Sequence, residues 1–303
     1  MTGSVLCKRG RCRSQLPTPP APALPQVPAG AGHGEKMRDS VVNRREHLGA
    51  DQAWRDYLER FHQDRPGITA DTLGTARSDG TDPYGWALEP LGLRPARIVD
   101  IACGDAPIYA RSPSPAWVGV DKSSSELRRA RSHGAKRLIR ADVSRIPLAT
   151  GCAPAVICSM ALMIVQPVDA VLAEIRRVLT PDGTAVALFP DRWPLTGQDL
   201  YRYAQLMITL RRARLDYPND RRLIRLSAYS RQAGLEIVDD RRRRFALPLP
   251  DHETARRFVA SLYLPGTSAQ RVTRAAERAA HWVPGGIGIP LRRVTMRPQG
   301  PSY

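Results

Sequence analysis

Two features that the sequence lacks narrow the kinds of protein it can be. No apolar run in its 303 residues approaches the ~18 residues that a membrane helix needs, so no membrane partner is expected. The five cysteines include no Cys-x-x-Cys pair and no paired histidine spacing. This pattern argues against a metal site and predicts a reduced, cytoplasmic protein. Cys103 has no histidine near it in sequence, so we expect a small buried residue there rather than a nucleophile.

A dinucleotide-binding fingerprint is also missing. That motif requires Gly-x-Gly-x-x-Gly at the first strand-to-helix turn, whereas residues 102–107 read Ala-Cys-Gly-Asp-Ala-Pro. Only Gly104 matches. Pro107 occupies the place of the third glycine, and Asp105 would repel a pyrophosphate. NAD and FAD are therefore not the expected ligands.

Lysine is scarce in an otherwise basic chain. Only 4 of the 46 basic residues are lysine, and the formal net charge is +17. Residues 37–210 carry 22 basic against 20 acidic residues, whereas residues 211–244 carry 11 against 5. So strong an arginine bias, with abundant alanine and proline, is as typical of GC-rich coding as of a phosphate-binding surface. A nucleic-acid partner is therefore the less favoured hypothesis.

The sequence does contain short apolar strands that each deliver an acid at the carboxyl end. The predicted strands 97–102, 116–121 and 137–141 bring Asp100, Asp121 and Asp142 to that end. Successive parallel strands of an open α/β sheet end at one edge, and ligands bind there. We therefore expect the three carboxylates to line one binding site.

The remaining pattern alternates helices and strands. An apolar stripe from Asp51 predicts a first helix, Thr69 is a plausible cap of a second, and Asp82-Pro83 opens a third. A turn at 181–183 precedes the fifth strand. A short helix of one or two turns is predicted from Ile108. Further helices are predicted at about 123–132, 168–179, 196–214, 221–233, 251–262 and 268–282, and further strands at 155–159, 184–189, 235–245 and 289–297. The last two strands alternate arginine with other residues and lack a terminal acid, which is typical of an antiparallel pair at a sheet edge.

These acids suit a ligand with an amino-acid end, a cationic centre and a ribose. Asp100 would lie near an ammonium, and the backbone of residues 102–104 near a carboxylate. Asp121 would accept from two ribose hydroxyls with its two oxygens. Asp142 would accept from an exocyclic amine, while the backbone of Val143 reaches an adenine. The alternatives are a turn cap for Asp100, a helix N-cap for Asp121 and a solvated loop acid for Asp142.

With these residues the chain resembles the class I S-adenosylmethionine-dependent methyltransferases, in particular the small-molecule type found widely in bacteria. Four segments in the right order and spacing carry the resemblance: 99–104, 118–121, 140–148 and 174–184. It implies an α/β, Rossmann-like seven-stranded class I methyltransferase sheet, mostly parallel with an antiparallel C-terminal strand pair, under an N-terminal helical cap.

The resemblance also implies S-adenosylmethionine as cofactor and a small-molecule acceptor, methylated by in-line displacement. The cofactor-binding residues it implies are Tyr84, Asp100, Ala102, Cys103, Gly104, Asp121, Lys122, Asp142, Val143 and Ser159. The alternative for Tyr84 is a core aromatic of the entry helix. The chain departs from the family where Ala106 replaces a glycine common at the end of the turn. With Pro107 after it, this departure is expected to reshape the methionine subsite.

The methyl acceptor is not specified by the sequence. In-line displacement depends mainly on alignment, and a general base is needed only if the acceptor must lose a proton. No base can be named, although His252 and His281 are candidates to face the acceptor pocket and His133 is expected to be solvated. Residues 159–162, Ser-Met-Ala-Leu, lack the Asn/Asp-Pro-Pro-Tyr of nucleic-acid amino methyltransferases.

Two alternatives remain. One is an RNA-directed methyltransferase, with phosphate contacts from Arg211, Arg212, Arg214, Arg221 and Arg222. The other is a non-catalytic ligand-binding or partner-binding module with this fold. The run Arg241–Arg244 is better interpreted as the two faces of a charged edge strand, which resists unwanted strand pairing.

The sequence divides into three parts. Residues 1–36, rich in Pro, Ala and Arg, are predicted to be a disordered tail, or to arise from a start upstream of Met37. Residues 37–95 form the predicted helical cap. Residues 96–303 form the methyltransferase domain, with helical insertions at about 191–233 and 251–285.

Overall fold

The computed structural model describes residues 51–92, 97–113 and 116–300. The described residues belong to one compact unit, Leu48–Tyr303. The predicted tail, residues 1–36, lies outside the described residues.

A seven-stranded sheet forms the centre of the molecule. Its strands in chain order are β1 Ile98–Ile101, β2 Trp117–Asp121, β3 Leu138–Arg140, β4 Ala153–Ser159, β5 Leu179–Pro190, β6 Leu235–Leu249 and β7 Gly285–Pro298. Their spatial order is β3-β2-β1-β4-β5-β7-β6. The first five strands are mutually parallel, and β7 is antiparallel to both β5 and β6. The predicted fold class, with its reversed C-terminal strand pair, is confirmed.

Helices lie before the first strand and between the later ones. Those before β1 are α1 (51–64), α2 Ile68–Leu73 and α3 Pro83–Leu88, the last continuing as a 3-10 turn, Glu89–Leu91. The others are α4 Pro107–Arg111, α5 Ser124–Ser132, α6 Val168–Val178, α7 Gly197–Leu210, α8 Asp220–Ile224, α9 Leu226–Gln232, α10 His252–Ala260 and α11 Ala269–Ala280.

Apolar residues fill both sides of the sheet, because its central strands are covered by helices on each face. One buried cluster includes Trp86, Phe245 and Phe258. The other includes Leu172 of α6 and Phe189 of β5. Among the described residues, no helix is long and apolar enough to cross a membrane.

The strand register brings the predicted acids to one edge. Asp100 of β1 is paired in register with Gly119 of β2, and Asp121 at the end of β2 with Arg140 of β3. The carboxyl ends of β1 and β2 therefore meet beside each other, as the sequence predicted.

Several local predictions were wrong. Thr69 does not cap α2: the helix begins at Ile68, after Gly67 turns the chain with a left-handed φ of 78°. Residues 181–183 are not a separate turn, because β5 begins at Leu179 and a register irregularity opposite Ala153–Ala155 accommodates them. The helix predicted at 221–233 is two helices that meet at Arg225.

The arginine run of β6 forms intramolecular contacts along the sheet edge. Arg241 pairs with Asp239 at 2.8 Å, and Arg242 with Asp191 at 2.8 Å. The guanidinium of Arg243 lies 5.1 Å from the ring centroid of Trp86. These contacts support the interpretation of the run as a charged edge strand.

Candidate active site at the carboxyl edge of the sheet

A cavity of about 600 Å³ opens above the carboxyl ends of β1, β2 and β4. Its volume lies within the range typical of small-molecule sites, ~300–1,000 Å³. The cavity wall includes all ten residues predicted to bind a cofactor: Tyr84, Asp100, Ala102, Cys103, Gly104, Asp121, Lys122, Asp142, Val143 and Ser159. The structure therefore brings the predicted set together, while the role of each residue remains a prediction.

The turn after β1 has an uncommon backbone conformation. Ala102, Gly104 and Ala106 have φ values of 54°, 54° and 67°, all in the left-handed region. Glycine adopts this region readily, whereas a Cβ costs ~1–2 kcal/mol there. The departure from the family at Ala106 therefore keeps the glycine-type backbone but adds strain, and Ala102 does the same.

Asp121 closes this turn from β2. Its Oδ2 accepts from the Gly104 N–H at 2.9 Å, and its Oδ1 accepts from the Ser123 N–H at 2.8 Å. A carboxylate offers about four acceptor positions, so each oxygen keeps one for a ligand hydroxyl. The N-cap of α5 is the neighbouring Ser123, whose hydroxyl accepts from the Glu126 N–H.

Asp100 is buried without adequate polar partners. Asp100 is 1% exposed. Neither of its carboxylate oxygens forms a well-aligned hydrogen bond with the described residues. Burial raises the pKa of Asp100 well above its ordinary value, the charge of Asp121 raises it further, and the Trp117 indole opposes the rise. A cationic ligand group beside Asp100 would relieve this cost, because buried charges are normally paired.

Cys103 fills the space under the turn. Burial raises the pKa of its thiol well above the ordinary value, and the neighbouring Asp100 and Asp121 add to the rise. The thiol therefore stays protonated and is a poor nucleophile. A Cβ at Gly119 would clash with the Trp117 ring and lie 2.7 Å from the Cys103 sulfur, which explains the glycine in β2.

Asp142 and Val143 form the next part of the wall, after β3. Asp142 is exposed, and its Oδ1 accepts from the N–H and the hydroxyl of Ser144 at 2.8 and 2.7 Å. Partial burial acts to raise its pKa, but the Ser144 hydrogen bonds dominate and lower it. Val143 is buried, and Lys122 is exposed at the cavity wall.

Tyr84 lies on the helical side of the cavity, where several contacts fix its position. Asp82 caps α3 by accepting from the N–H groups of Tyr84 and Gly85, and its carboxylate also binds Arg111 at 2.8 Å. The Arg111 guanidinium lies 4.7 Å from the Tyr84 ring centroid. Burial raises the pKa of Tyr84 well above its ordinary value, so its phenol stays neutral.

Sequence reasoning missed a hydrogen-bonded chain in the same cavity. Glu126 Oε1 lies 2.8 Å from His62 Nδ1, and His62 Nε2 lies 3.1 Å from the Tyr263 hydroxyl. All three side chains line the cavity. The pattern Ser123-x-x-Glu126 resembles a capping box, which would explain the glutamate locally. In the structure its side chain instead binds His62 and the Gly67 N–H, the latter at 3.0 Å.

The histidines considered from sequence lie elsewhere. His252 begins α10, His281 follows α11, and both are exposed and outside the cavity wall. Contrary to the expectation from the sequence, neither histidine faces this cavity. His133 is exposed, as expected.

No metal site is found in the described parts of the chain, where no group of three or more His, Cys, Asp or Glu side chains is arranged to hold an ion. Of the five arginines considered for RNA contact, Arg212 donates to the Thr267 hydroxyl at 3.0 Å and Arg214 pairs with Asp216. These two are engaged within the molecule.

The sheet order, the reversed final strand and the strand-edge cavity define a class I methyltransferase fold. Residues 99–187 match the family model of a methyltransferase domain. Over residues 99–187 the chain is therefore similar to methyltransferase domains, and its sheet has the class I methyltransferase order.

Among similar proteins, the malonyl-acyl-carrier protein O-methyltransferase of Laribacter hongkongensis is 31% identical over 153 residues, covering 45% of this chain and 51% of the relative. The Geobacter sulfurreducens enzyme of the same name is 34% identical over 109 residues, covering 33% of this chain and 41% of the relative. The chain thus spans about half the length, or less, of these curated relatives. Of solved structures, the YcgJ protein of Bacillus subtilis is 16% identical, covering 72% of this chain and 99% of that one with a TM-score of 0.47.

Proposed function

We propose that this protein transfers a methyl group from S-adenosylmethionine to a small-molecule acceptor. The observation that carries the proposal is the convergence of Asp100, residues 102–105 of the turn, Asp121 and Asp142 on one cavity within a methyltransferase domain. The two O-methyltransferase relatives support the same reaction class.

The residues present fit this cofactor. Asp100 is a buried carboxyl in need of a positive partner, which the ammonium of the methionine end would supply. Asp121 has one acceptor position free on each oxygen for the two ribose hydroxyls. Asp142 Oδ1 is engaged by Ser144, which leaves Oδ2 for the adenine amine.

When bound, the cofactor supplies an electrophilic methyl group on a positively charged sulfur. The chain's own contribution is to hold the acceptor in line with that methyl and to exclude water, which is the main source of acceleration in such transfers. The cavity wall opposite the strand ends is formed by α1, α2 and Tyr263. We assign the acceptor to the space between this wall and the strand ends.

The test is a calorimetric titration of S-adenosylhomocysteine into the wild type and Asp121→Asn. The substitution keeps the shape but removes the charge, so we expect binding to weaken by ~1–3 kcal/mol, the range for a charge-assisted hydrogen bond. Asp216→Asn, at an exposed ion pair that is not part of the cavity wall, is the matched control and should bind as the wild type does.

Absence of binding by the folded wild type would refute the proposal. Binding of the cofactor without methylation of any acceptor would instead favour the non-catalytic module with this fold.

A further inference from the structure

The chain Glu126–His62–Tyr263 is built from three separate parts of the molecule. His62 comes from α1, Glu126 from α5 and Tyr263 from the segment after α10. The proposed cofactor contacts need none of these residues, yet all three side chains line the cavity.

Glu126 is a buried acid, and burial disfavours its charged form. It is 4% exposed, and burial raises its pKa while the hydrogen bond and charge of His62 partly oppose the rise. Its second oxygen accepts from the Gly67 N–H at 3.0 Å. Both oxygens of Glu126 are thus engaged, which fixes its orientation towards His62.

The contact with Glu126 decides the tautomer of His62. A carboxylate only accepts hydrogen bonds, so His62 Nδ1 carries the proton that it donates to Glu126 Oε1. In the neutral imidazole Nε2 is then unprotonated and accepts from the Tyr263 hydroxyl at 3.1 Å. An imidazole that is oriented by a carboxyl and has an unprotonated nitrogen facing a proton donor is the arrangement of a general base.

Tyr263 completes the chain as a proton carrier. It is 5% exposed, and its ring packs edge-on against Phe61 with centroids 4.7 Å apart. Burial raises the pKa of Tyr263 far above the ordinary value, and nearby Glu126 adds to the rise. The phenol therefore remains protonated and can pass a proton without holding a negative charge.

We propose that His62 is the general base of this enzyme, reached through the Tyr263 hydroxyl and oriented by Glu126, and that the acceptor atom therefore carries a proton at neutral pH, as in a hydroxyl or an amine. This inference rests on the proposed function. An acceptor that is already ionised, such as a carboxylate, would have no use for the chain.

The acceptor atom forms a bond to the methyl carbon while the carbon–sulfur bond breaks, with its electron pair going to sulfur. The proton that the acceptor loses passes to the Tyr263 oxygen as the Tyr263 proton moves to His62 Nε2. Glu126 stabilises the resulting imidazolium, and the His62 side chain, 24% exposed, then releases the proton to water.

The first test does not depend on turnover. Spectra of the ¹⁵N-labelled histidines in the complex with S-adenosylhomocysteine, at alkaline pH where imidazoles are neutral, should show His62 protonated on Nδ1 and bare on Nε2. Tyr263→Phe should shift the Nε2 signal, and Glu126→Gln should change the tautomer balance. His252→Gln, at an exposed histidine, should leave the His62 signals unchanged. Protonation of His62 on Nε2 in the wild-type complex would overturn the proposal.

The second test uses three probe acceptors of similar size, namely phenol, benzylamine and benzoate, with release of S-adenosylhomocysteine as the measurement. We expect methylation of phenol or benzylamine and not of benzoate. His62→Gln should lower kcat ~100-fold or more, the range for losing a general base, with unchanged affinity for S-adenosylhomocysteine. Added imidazole should restore part of the rate of His62→Ala, which loss of a purely structural contact would not allow.

Methylation of benzoate alone, or a wild-type rate in His62→Gln, would refute the assignment of His62 as the general base. So would failure of phenol and benzylamine to react in a wild type that binds S-adenosylhomocysteine. Failure of that binding would instead refute the proposed function, so the two failures are distinguishable. If the His62 variants do not fold, Tyr263→Phe tests the same proton path, because it removes the hydroxyl and keeps the ring contact with Phe61.

Discussion

Single residues in the turn after β1 hold a backbone that glycine would adopt more easily. Ala102 and Ala106 both have left-handed φ values, with Gly104 between them. A strained backbone of this kind persists only where surrounding contacts hold it in place. Such strained residues cluster at ligand sites. Here the contact is the hydrogen bond from the Gly104 N–H to Asp121.

Ala102→Gly should make the protein more stable. At a φ of 54° the alanine Cβ costs ~1 kcal/mol or more, and Ala102 is only partly buried, so little packing is lost. Urea denaturation should show a free energy of unfolding higher by about 1 kcal/mol. The control is Ala204→Gly on the exposed face of α7, which should lose ~1 kcal/mol because helix propensity falls. An equal loss of unfolding free energy in both variants would show that Ala102 is not strained.

Whole elements are joined by a few buried polar side chains. Asp199 of α7 accepts from Arg244 of β6 at 2.6 and 2.9 Å and from the Gly288 N–H of β7 at 2.6 Å. It also forms a capping box with Thr196. Burial acts to raise its pKa, but these hydrogen bonds dominate and hold the pKa far below its ordinary value.

Asp199→Asn should therefore destabilise the protein in a pH-dependent way. A lowered pKa in the folded state gives stability that is present above the unfolded pKa, ~3.9, and is lost as the pH falls towards the folded value. At neutral pH we expect a loss of ~3 kcal/mol, as for breaking a buried ion pair. The difference from the wild type should shrink below pH ~4. Denaturation curves at several pH values measure this, and a pH-independent difference would argue against the charge as the cause.

Asn219 joins the segment before α8 to the loop after β4. It is fully buried, and its side-chain NH₂ donates to the carbonyls of Leu162 and Val165 at 2.9 and 2.6 Å. Asn219→Ala should cost ~2–4 kcal/mol, because two buried carbonyls lose their donors. The measurement is again the free energy of unfolding. Gln198→Ala, an exposed amide on α7, should have little effect, and a similar loss there would point to a general sensitivity of this region.

At the scale of the whole molecule, a ligand that binds only the folded state should raise the melting temperature. The described residues form one compact unit, so we expect a single cooperative transition. S-adenosylhomocysteine at about 100 times its Kd adds ~2.7 kcal/mol, which corresponds to about 5–10 °C for a domain of this size. Differential scanning calorimetry measures the shift. Asp121→Asn at the same ligand concentration should show a smaller one, and an equal shift in both proteins would place the ligand elsewhere.

The strand-end acids were predictable because their position along each strand is a local property of the sequence. A short apolar strand followed by an acid fixes where that acid lies along the strand, and parallel order then places Asp100 and Asp121 at one edge. The ends of β6 and β7 were not predictable in the same way. These strands extend to Leu249 and Gly285 because they pair with each other. Neither segment by itself specifies pairing with a distant strand.

The sequence by itself determined the class of sheet, the edge at which the cavity lies and ten of the residues that line it, because these depend on strand period, terminal acids and turn composition. Only the tertiary structure decided that His62, Glu126 and Tyr263 form one chain. His62 and Glu126 are 64 residues apart, and His62 and Tyr263 are 201 apart. Their contact exists because α1 and the segment after α10 fold over the same edge, and no local pattern specifies that approach.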